Sequence, residues 1–379
     1  MRQREVRHWS NSSVIVGSVV GAIVVAAAGL AIWRAEQPGP AQAAVAGTTN
    51  SAVGQAPSGS AAPGWSATAS AAPFSPGALD GPYTYKRATQ PSRTEVFSAS
   101  NTLVAVLTDG ARTVQITGPK RTFSEPATTA ATVTTSAWVR LAPQAWTAGA
   151  QSQAWFQSWF PKQVGSTEPD LFGLAMQYMA GAPNQQNSSG VRFAGEARFG
   201  PITSSTAAYQ NPLGERDDRA DFYDYLGTSY TFQDGTAKPN PAWYGDLDCT
   251  GFIRILFGYR MGFPLLKGDE RSAALPRHSW GMATLGPGVQ IFNAGAQQPP
   301  SGDLDRLQPG DLLFFAEGKS TPGTIDHAGI YLGLDQSGNP RFLSSRMGAN
   351  GPTFGDAWGR SVLSGSGLYA RDLRSAKRI

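Results

Sequence analysis

The sequence contains very few of the residues that form disulfides or bind metal ions. Its 379 residues include one cysteine, Cys249, and three histidines, at positions 8, 278 and 327. A single cysteine excludes an intramolecular disulfide. The chain has no H-E-x-x-H pair to hold zinc and no G-x-S-x-G serine elbow. We therefore expect no metal ion and no other cofactor, and we exclude a serine hydrolase of that type.

Charge is also scarce in this chain. Asp, Glu, Lys and Arg together make up 15% of the residues, and the formal net charge is +4. The sequence has no basic stripe with interleaved aromatic residues of the kind that binds nucleic acid. Nucleic acid is therefore not an expected partner.

One long hydrophobic run lies near the start of the chain. Residues 14–33 carry no charge, and about 20 apolar residues are what an α-helix needs to cross a membrane. Three arginines precede the run, so the positive-inside rule predicts a cytoplasmic stub at 1–13, a transmembrane anchor at 14–34 and an extracytoplasmic remainder. The expected location is the cell membrane, as a single-pass protein. Cleavage of a signal peptide near Ala43 is the alternative, and it also exports the chain.

Two segments of different composition follow the anchor. Residues 35–82 are rich in Ala, Ser, Gly and Pro, which predicts a disordered linker. Residues 83–215 predict a small β-rich α+β accessory domain, in which Asp109-Gly110 between apolar runs indicates a hairpin and 169–180 indicates a short helix. This segment contains no histidine and no cysteine. We therefore assign it no chemistry of its own.

The surroundings of Cys249 indicate a reactive thiol. It lies in the sequence Asp-Cys-Thr-Gly-Phe, where Asp248 is a suitable N-cap and makes the cysteine the first residue of a helix. The positive end of the helix dipole favours the thiolate, and the N–H groups there can donate to a developing oxyanion. A small cysteine packed in the core is the alternative interpretation.

One histidine is a suitable partner for this thiol. His327 begins an apolar strand, from which it can face a thiolate on a neighbouring helix and act as its general base. A satisfied core histidine is the alternative. His278 lies in a segment typical of a loop or helix start, and we do not expect it to take part in catalysis.

Three motifs follow one another in the second half of the chain. They are Asp-Cys-Thr-Gly-Phe-Ile-Arg at 248–254, Leu-Gln-Pro-Gly-Asp-Leu-Leu-Phe-Phe at 307–315 and Asp-His-Ala-Gly-Ile-Tyr-Leu-Gly at 326–333. In this order they resemble the NlpC-type cell-wall peptidases, which are papain-like cysteine peptidases of bacteria. The resemblance covers residues 216–379 and implies a papain-like α+β fold, in which the helix bearing the cysteine packs on an antiparallel sheet. It also implies that Cys249 is the nucleophile and His327 its base.

The resemblance implies three further site residues. Tyr230 corresponds to a tyrosine that lines the family's active site, and Asp248 to a residue of the substrate cleft. Ser344 stands at the third catalytic position, where the family usually has His, Asn or Gln. A serine can accept a hydrogen bond from the imidazole, although it is short. Ser345, Arg346 or a backbone carbonyl are the alternatives for this orienting contact.

Taken together, the sequence predicts a membrane-anchored cysteine endopeptidase that hydrolyses amide bonds in peptidoglycan stem peptides. The resemblance implies cleavage between D-glutamate and the third, diamino residue. The expected partners are stem peptides and, through the N-terminal helix, the membrane. Two alternatives remain: a wall-binding or adaptor domain that has lost turnover, suggested by Ser344, and a cysteine acyltransferase on the same fold.

Overall fold

The structure is a computed structural model, and it describes residues 75–200, 220–317 and 324–379 together with the backbone of 66–69. These residues all belong to one compact unit. The predicted stub, anchor and most of the linker lie outside the described residues, as does the predicted boundary at 215/216. Among the helices of the described ranges, none has both the length and the apolar character needed to span a membrane.

The first part of the described chain forms an antiparallel sheet of six strands. They are β1 (Ser66–Ala69), β2 (Thr84–Ala88), β3 (Arg93–Phe97), β4 (Leu103–Thr108), β5 (Thr113–Ser124) and β6 (Thr132–Leu141). The order is β1-β5-β4-β3-β2, with β6 also paired to β5. The first half of β5 therefore lies between β4 and β6, and its second half between β1 and β6.

The hairpin predicted at Asp109-Gly110 joins β4 and β5. Leu107 pairs with Val114, and Gly110 has a φ of 86°, a conformation that glycine adopts at little cost. This prediction is confirmed. The end of the segment predicted as linker, 35–82, also takes part in the sheet, because β1 pairs with β5. The amino-acid composition of 35–82 gives no sign of this pairing, because backbone hydrogen bonds form it and small side chains do not prevent it.

Two short helices and a small hairpin follow the first sheet. They are α1 (Ala154–Gln163), α2 (Leu171–Ala175), β7 (Gln185–Gln186) and β8 (Arg192–Ala194). α2 continues as a 3-10 turn at Met176–Tyr178, so the short helix predicted at 169–180 is confirmed. α1 packs Phe156 and Phe160 against Trp146, in a small core that it shares with the sheet.

The second part of the described chain contains a second antiparallel sheet and several short helices. The elements are α3 (Phe222–Leu226), β9 (Tyr230–Phe232), β10 (Gly235–Ala237), α4 (Cys249–Arg254), α5 (Ser279–Thr284), β11 (Val289–Asn293), α6 (Ser301–Leu304), β12 (Leu312–Phe315), β13 (His327–Leu334), β14 (Pro340–Arg346), β15 (Gly351–Thr353), α7 (Leu368–Asp372) and β16 (Leu373–Arg378). Six of these strands form the sheet, in the order β11-β16-β12-β13-β14-β15. α4, which carries Cys249, packs on β13 and β14 and continues as a π-helical turn at Ile255–Arg260. The expected mixture of helices and sheet is therefore confirmed.

The largest hydrophobic core joins the two parts of the molecule. Val133 and Val139 of β6 and Phe172 of α2 pack in one cluster with Phe252 of α4 and Ile330 of β13. Both sheets therefore lose apolar surface to the same interior, which stabilises them jointly. The segment predicted as an accessory domain thus supports the sheet on which α4 lies.

Candidate active site

Cys249 is the first residue of α4, as predicted. The Asp248 carboxylate caps the helix, since its Oδ1 accepts a hydrogen bond from the Gly251 N–H at 2.6 Å. The helix start can approach the preceding chain closely because residue 251 is glycine: a Cβ there would collide with the carbonyl oxygen of Ala220. Cys249 is only 2% exposed, so a substrate can reach its sulfur only by entering a cleft.

A buried network of ion pairs holds this helix start in place. Arg277 donates to the Asp248 carboxylate and to the Thr250 hydroxyl, each at 2.6 Å. Its Nε also lies 3.5 Å from Asp221, and that carboxylate accepts two hydrogen bonds of 3.0 Å from Arg254. Burial would raise the pKa of Asp221, but the two guanidinium groups outweigh it and hold that pKa below its usual value.

The network of buried ion pairs gives Asp248 a structural role. Both of its carboxylate oxygens are bound within the protein, one by the helix start and one by Arg277, and the residue is buried. Its predicted contact with substrate stays a prediction. The same holds for Tyr230, which the structure packs edge-on against Phe222 and Phe232, with ring centroids 4.8 and 4.7 Å apart.

His327 is the first residue of β13, where the sequence predicted a strand start. Its imidazole packs against two aromatic rings that also contact each other, with centroid distances of 5.7 Å to Phe315 and 5.9 Å to Tyr369. The Nε2 atom is 3.8 Å from Oε1 of Glu317. His278, by contrast, immediately precedes α5 and places its Nδ1 2.5 Å from Asp269.

Tyr369 of α7 is a neighbour of the predicted base, because its ring contacts His327 as described. Burial is the main cause that raises the pKa of Tyr369 to about 12; Arg346 opposes this rise, and Glu317 and Cys249 add to it. α4, which begins at Cys249, packs on β13, which begins at His327. The two predicted catalytic residues therefore lie on neighbouring elements, while their roles stay predictions.

The structure shows no hydrogen bond among the described residues for Ser344, the predicted third catalytic residue. Ser344 is 1% exposed, and its Oγ forms no hydrogen bond with any residue that the structure describes. Ser345 donates to the carbonyl of Leu247 at 2.5 Å, which fixes the chain just before the cysteine. Arg346 donates to the carbonyl oxygens of Gly359 and Gly355 and to the Ser361 hydroxyl. None of these three side chains hydrogen-bonds to His327 within the described ranges.

A cleft of about 370 Å³ opens beside His327. Trp358 stands at its rim, is 82% exposed, and has a φ of 55°, an unfavourable conformation for a bulky side chain. The ring lies against Gly348, where any Cβ would collide with it. The remaining lining residues are Phe199, Glu317, Arg346, Met347, Leu368 and Tyr369.

Sequence reasoning missed Glu317, Trp358 and Tyr369, since none of them stands in a motif. Only the proximity of Glu317 to the motif at 307–315 could have drawn attention to it. As for metals, no group of three or more His, Cys, Asp or Glu in the described ranges is arranged to hold one.

The first sheet ties down the wall of this cleft. Glu125, just after β5, accepts hydrogen bonds from the Thr353 hydroxyl at 2.6 Å and the Phe354 N–H at 2.9 Å. Thr129 donates to Asp356 at 2.7 Å. The segment that carries Trp358 and accepts the hydrogen bonds of Arg346 is therefore anchored on 83–215, the segment predicted as an accessory domain.

Replacing Glu125 with alanine should consequently lower the free energy of unfolding by about 1–3 kcal/mol, because a buried hydroxyl and N–H lose their acceptor. Urea unfolding followed by circular dichroism measures this change. The matched control is Glu168→Ala at an exposed position, for which we expect a change within about 0.5 kcal/mol. Equal stabilities of the two variants would contradict the anchoring role of Glu125.

Comparisons with known proteins agree with the motifs. The sequence model of the NlpC/P60 family matches residues 227–352. A crystal structure from Staphylococcus aureus subsp. aureus Mu50, described as similar to a lipoprotein of the NLP/P60 family, is 22% identical to this chain, with a TM-score of 0.22. That similarity covers 42% of this chain and 38% of the other, so less than half of either protein is compared. Among curated proteins, none matches this chain.

Proposed function

We propose that this protein is a papain-like cysteine endopeptidase of peptidoglycan stem peptides. The NlpC/P60 family model matches residues 227–352, which confirms the predicted resemblance. Members of this family are generally cysteine peptidases of the cell wall. The observation that carries the proposal is that Cys249, at a capped helix start, and His327, at a strand start, lie on elements that pack against each other.

The proposed reaction begins with a thiolate–imidazolium pair of Cys249 and His327. The thiolate attacks the carbonyl carbon of an amide in the stem peptide, and N–H groups at the start of α4 stabilise the oxyanion. The C–N bond then breaks, and the imidazolium gives its proton to the leaving amine. The now neutral imidazole takes a proton from water, and the resulting hydroxide attacks the thioester. The C–S bond breaks, the carboxylic acid leaves, and the thiolate–imidazolium pair is restored.

The cleft beside His327 is the proposed site for the stem peptide. Its wall combines the exposed ring of Trp358 with Leu368 and Met347, so it can bury the apolar parts of a peptide. The bond between D-glutamate and the diamino residue, implied by the family, is the proposed point of cleavage.

Replacing Trp358 with alanine should raise KM about tenfold with a smaller effect on kcat, because an exposed ring at the rim contributes to binding and lies away from the reacting atoms. Steady-state kinetics on one defined muropeptide measures both constants. Leu334→Ala is the matched control: it also removes an exposed apolar side chain, at the opposite end of the strand that His327 begins. If both variants keep the original KM, Trp358 does not bind substrate.

We further propose that the segment 14–34 anchors the protein in the cell membrane with its N-terminus in the cytoplasm, or that cleavage near Ala43 releases it. Either arrangement exposes the catalytic part to the cell wall. Extraction of the full-length protein from membranes by detergent, but not by carbonate, would support the anchor.

The decisive test uses the full-length protein in detergent and defined muropeptides, with mass spectrometry of the products. Hydrolysis between D-glutamate and the diamino residue supports the proposal, and hydrolysis elsewhere corrects the bond. An adaptor would leave every muropeptide intact, whereas an acyltransferase would yield a new amide or ester when an acceptor amine or alcohol is supplied. Protein alkylated beforehand with iodoacetamide is the control that links any product to the single cysteine.

A further inference from the structure

We infer that Glu317 is the residue that positions His327, in place of Ser344. The inference rests on the proposed function, because it concerns the base of that reaction. Glu317 follows β12, whereas the predicted third residue lies on β14, on the other side of the strand that carries His327. The orienting group has therefore moved from one neighbouring strand to the other.

Strand register places Glu317 next to the imidazole. β12 pairs antiparallel with β13, and Phe315, its last residue, is directly opposite His327. Glu317 is two residues further along, and its N–H donates to the Asp326 carboxylate at 2.7 Å, which fixes the turn of the chain beside the strand start. The Glu317 carboxylate reaches the imidazole with 3.8 Å between Oε1 and Nε2.

Both partners of this contact are largely enclosed. The side chains of His327 and Glu317 are 10% and 24% exposed, so water screens their interaction only in part. The distance is longer than a hydrogen bond, but catalytic contacts of this kind often shorten when substrate binds. A carboxylate at this position would hold the ring by its Nε2 and leave Nδ1 for the thiolate.

Ser344 is poorly suited to the same task. β13 and β14 pair with Ile330 opposite Leu343, and continuing this register puts Ser344 across from Gly329, two residues from His327. The serine side chain is short, it is buried, and its hydroxyl makes no hydrogen bond to any described residue. Glu317 follows β12, on the other side of β13, and its longer side chain reaches the imidazole.

The electrostatic effect of Glu317 depends on the other groups around the imidazole. In the proposed ion pair, Cys249 supplies a second negative charge, and Tyr369, whose pKa is raised to about 12 chiefly by burial, packs against the ring as a neutral phenol. Arg346 lines the same cleft, but its guanidinium is bound to carbonyl oxygens of the wall. A carboxylate within about 4 Å favours the imidazolium form, which is the form that the thiolate pair requires.

The test compares four variants of the full-length protein: Glu317→Gln, Glu317→Asp, Ser344→Ala and, as a matched loss of one exposed carboxylate, Glu168→Gln. Two quantities are measured across pH: kcat/KM on a muropeptide and the rate of Cys249 alkylation by iodoacetamide. Because Glu317→Gln removes an anion that favours the imidazolium, the alkaline limb of the kcat/KM profile should move to lower pH by about one unit or more. The alkylation rate near neutral pH should fall, because less of the thiolate–imidazolium pair is present. We expect kcat to fall at least about tenfold with little change in KM, and Glu317→Asp to recover part of this loss.

The inference is overturned if Glu317→Gln keeps the original pH profiles and kcat, or if Ser344→Ala rather than Glu317→Gln moves the alkaline limb. It is supported if Glu317→Gln shifts the limb while Ser344→Ala and Glu168→Gln do not. Failure of the proposed function can be distinguished from failure of this inference, because the unmodified protein would then hydrolyse no muropeptide. The alkylation profiles still report on Glu317 in that case, since they need no substrate.

Discussion

Replacement of Cys249 by serine should abolish hydrolysis, with kcat falling by at least about 10⁴-fold. A serine hydroxyl at the start of α4 is far harder to deprotonate than a thiol, and His327 cannot make up that difference. The substitution exchanges only sulfur for oxygen, so the fold and substrate binding should be retained. Single-turnover assays with a muropeptide, together with direct measurement of its binding, separate loss of chemistry from loss of affinity.

The control for this variant is protein stability, measured by thermal unfolding, which should differ by no more than a few degrees. Retained hydrolysis in Cys249→Ser would contradict the role of the thiol, because the chain has no second cysteine to replace it. Loss of binding together with turnover would instead show that the substitution disturbed the helix start.

Asp221→Ala should cause the largest loss of stability, about 3–5 kcal/mol in the free energy of unfolding. The carboxylate is fully buried and pairs with Arg254, which is fully buried as well. Removing one partner leaves an uncompensated charge in the interior, and that costs more than the pair itself contributes. Arg277 would lose a neighbour too, so the cap of α4 should loosen and the reactivity of Cys249 should fall.

Urea unfolding measures this change, with Asp305→Ala at an exposed position as the control. The double variant Asp221→Ala with Arg254→Met should recover part of the lost stability, because it leaves no isolated charge at that pair. A loss below about 1 kcal/mol for Asp221→Ala alone would mean that Arg254 finds another partner or water.

The sign of the pH dependence follows from the direction of the Asp221 pKa. The two guanidinium groups lower it in the folded protein below the ordinary aspartate value of about 3.9. The stabilising contribution is therefore fully present above that ordinary value and is lost as the pH falls through the folded value. Acid should destabilise the parent protein more steeply than Asp221→Ala, which has lost this group.

Local features of the fold could be predicted because neighbouring residues determine them. Asp109-Gly110 specifies its hairpin through backbone conformation, and Asp248 specifies the start of α4 by capping it. The apolar run after His327 likewise specifies a strand. In contrast, the sequence did not indicate that β1 pairs with β5, because that pairing depends on which strand edge is available.

By itself, the sequence determined the resemblance to the NlpC/P60 family, the candidate nucleophile and base, and the elements that carry them, since motifs and caps act over a few residues. Only the tertiary structure decided what surrounds these groups. Tyr369, Glu317 and the Asp221–Arg277 network reach the site from distant parts of the chain. The physical reason is that ion pairs and ring contacts between distant residues depend on how sheets and helices pack, and the spacing of residues along the chain does not record that packing.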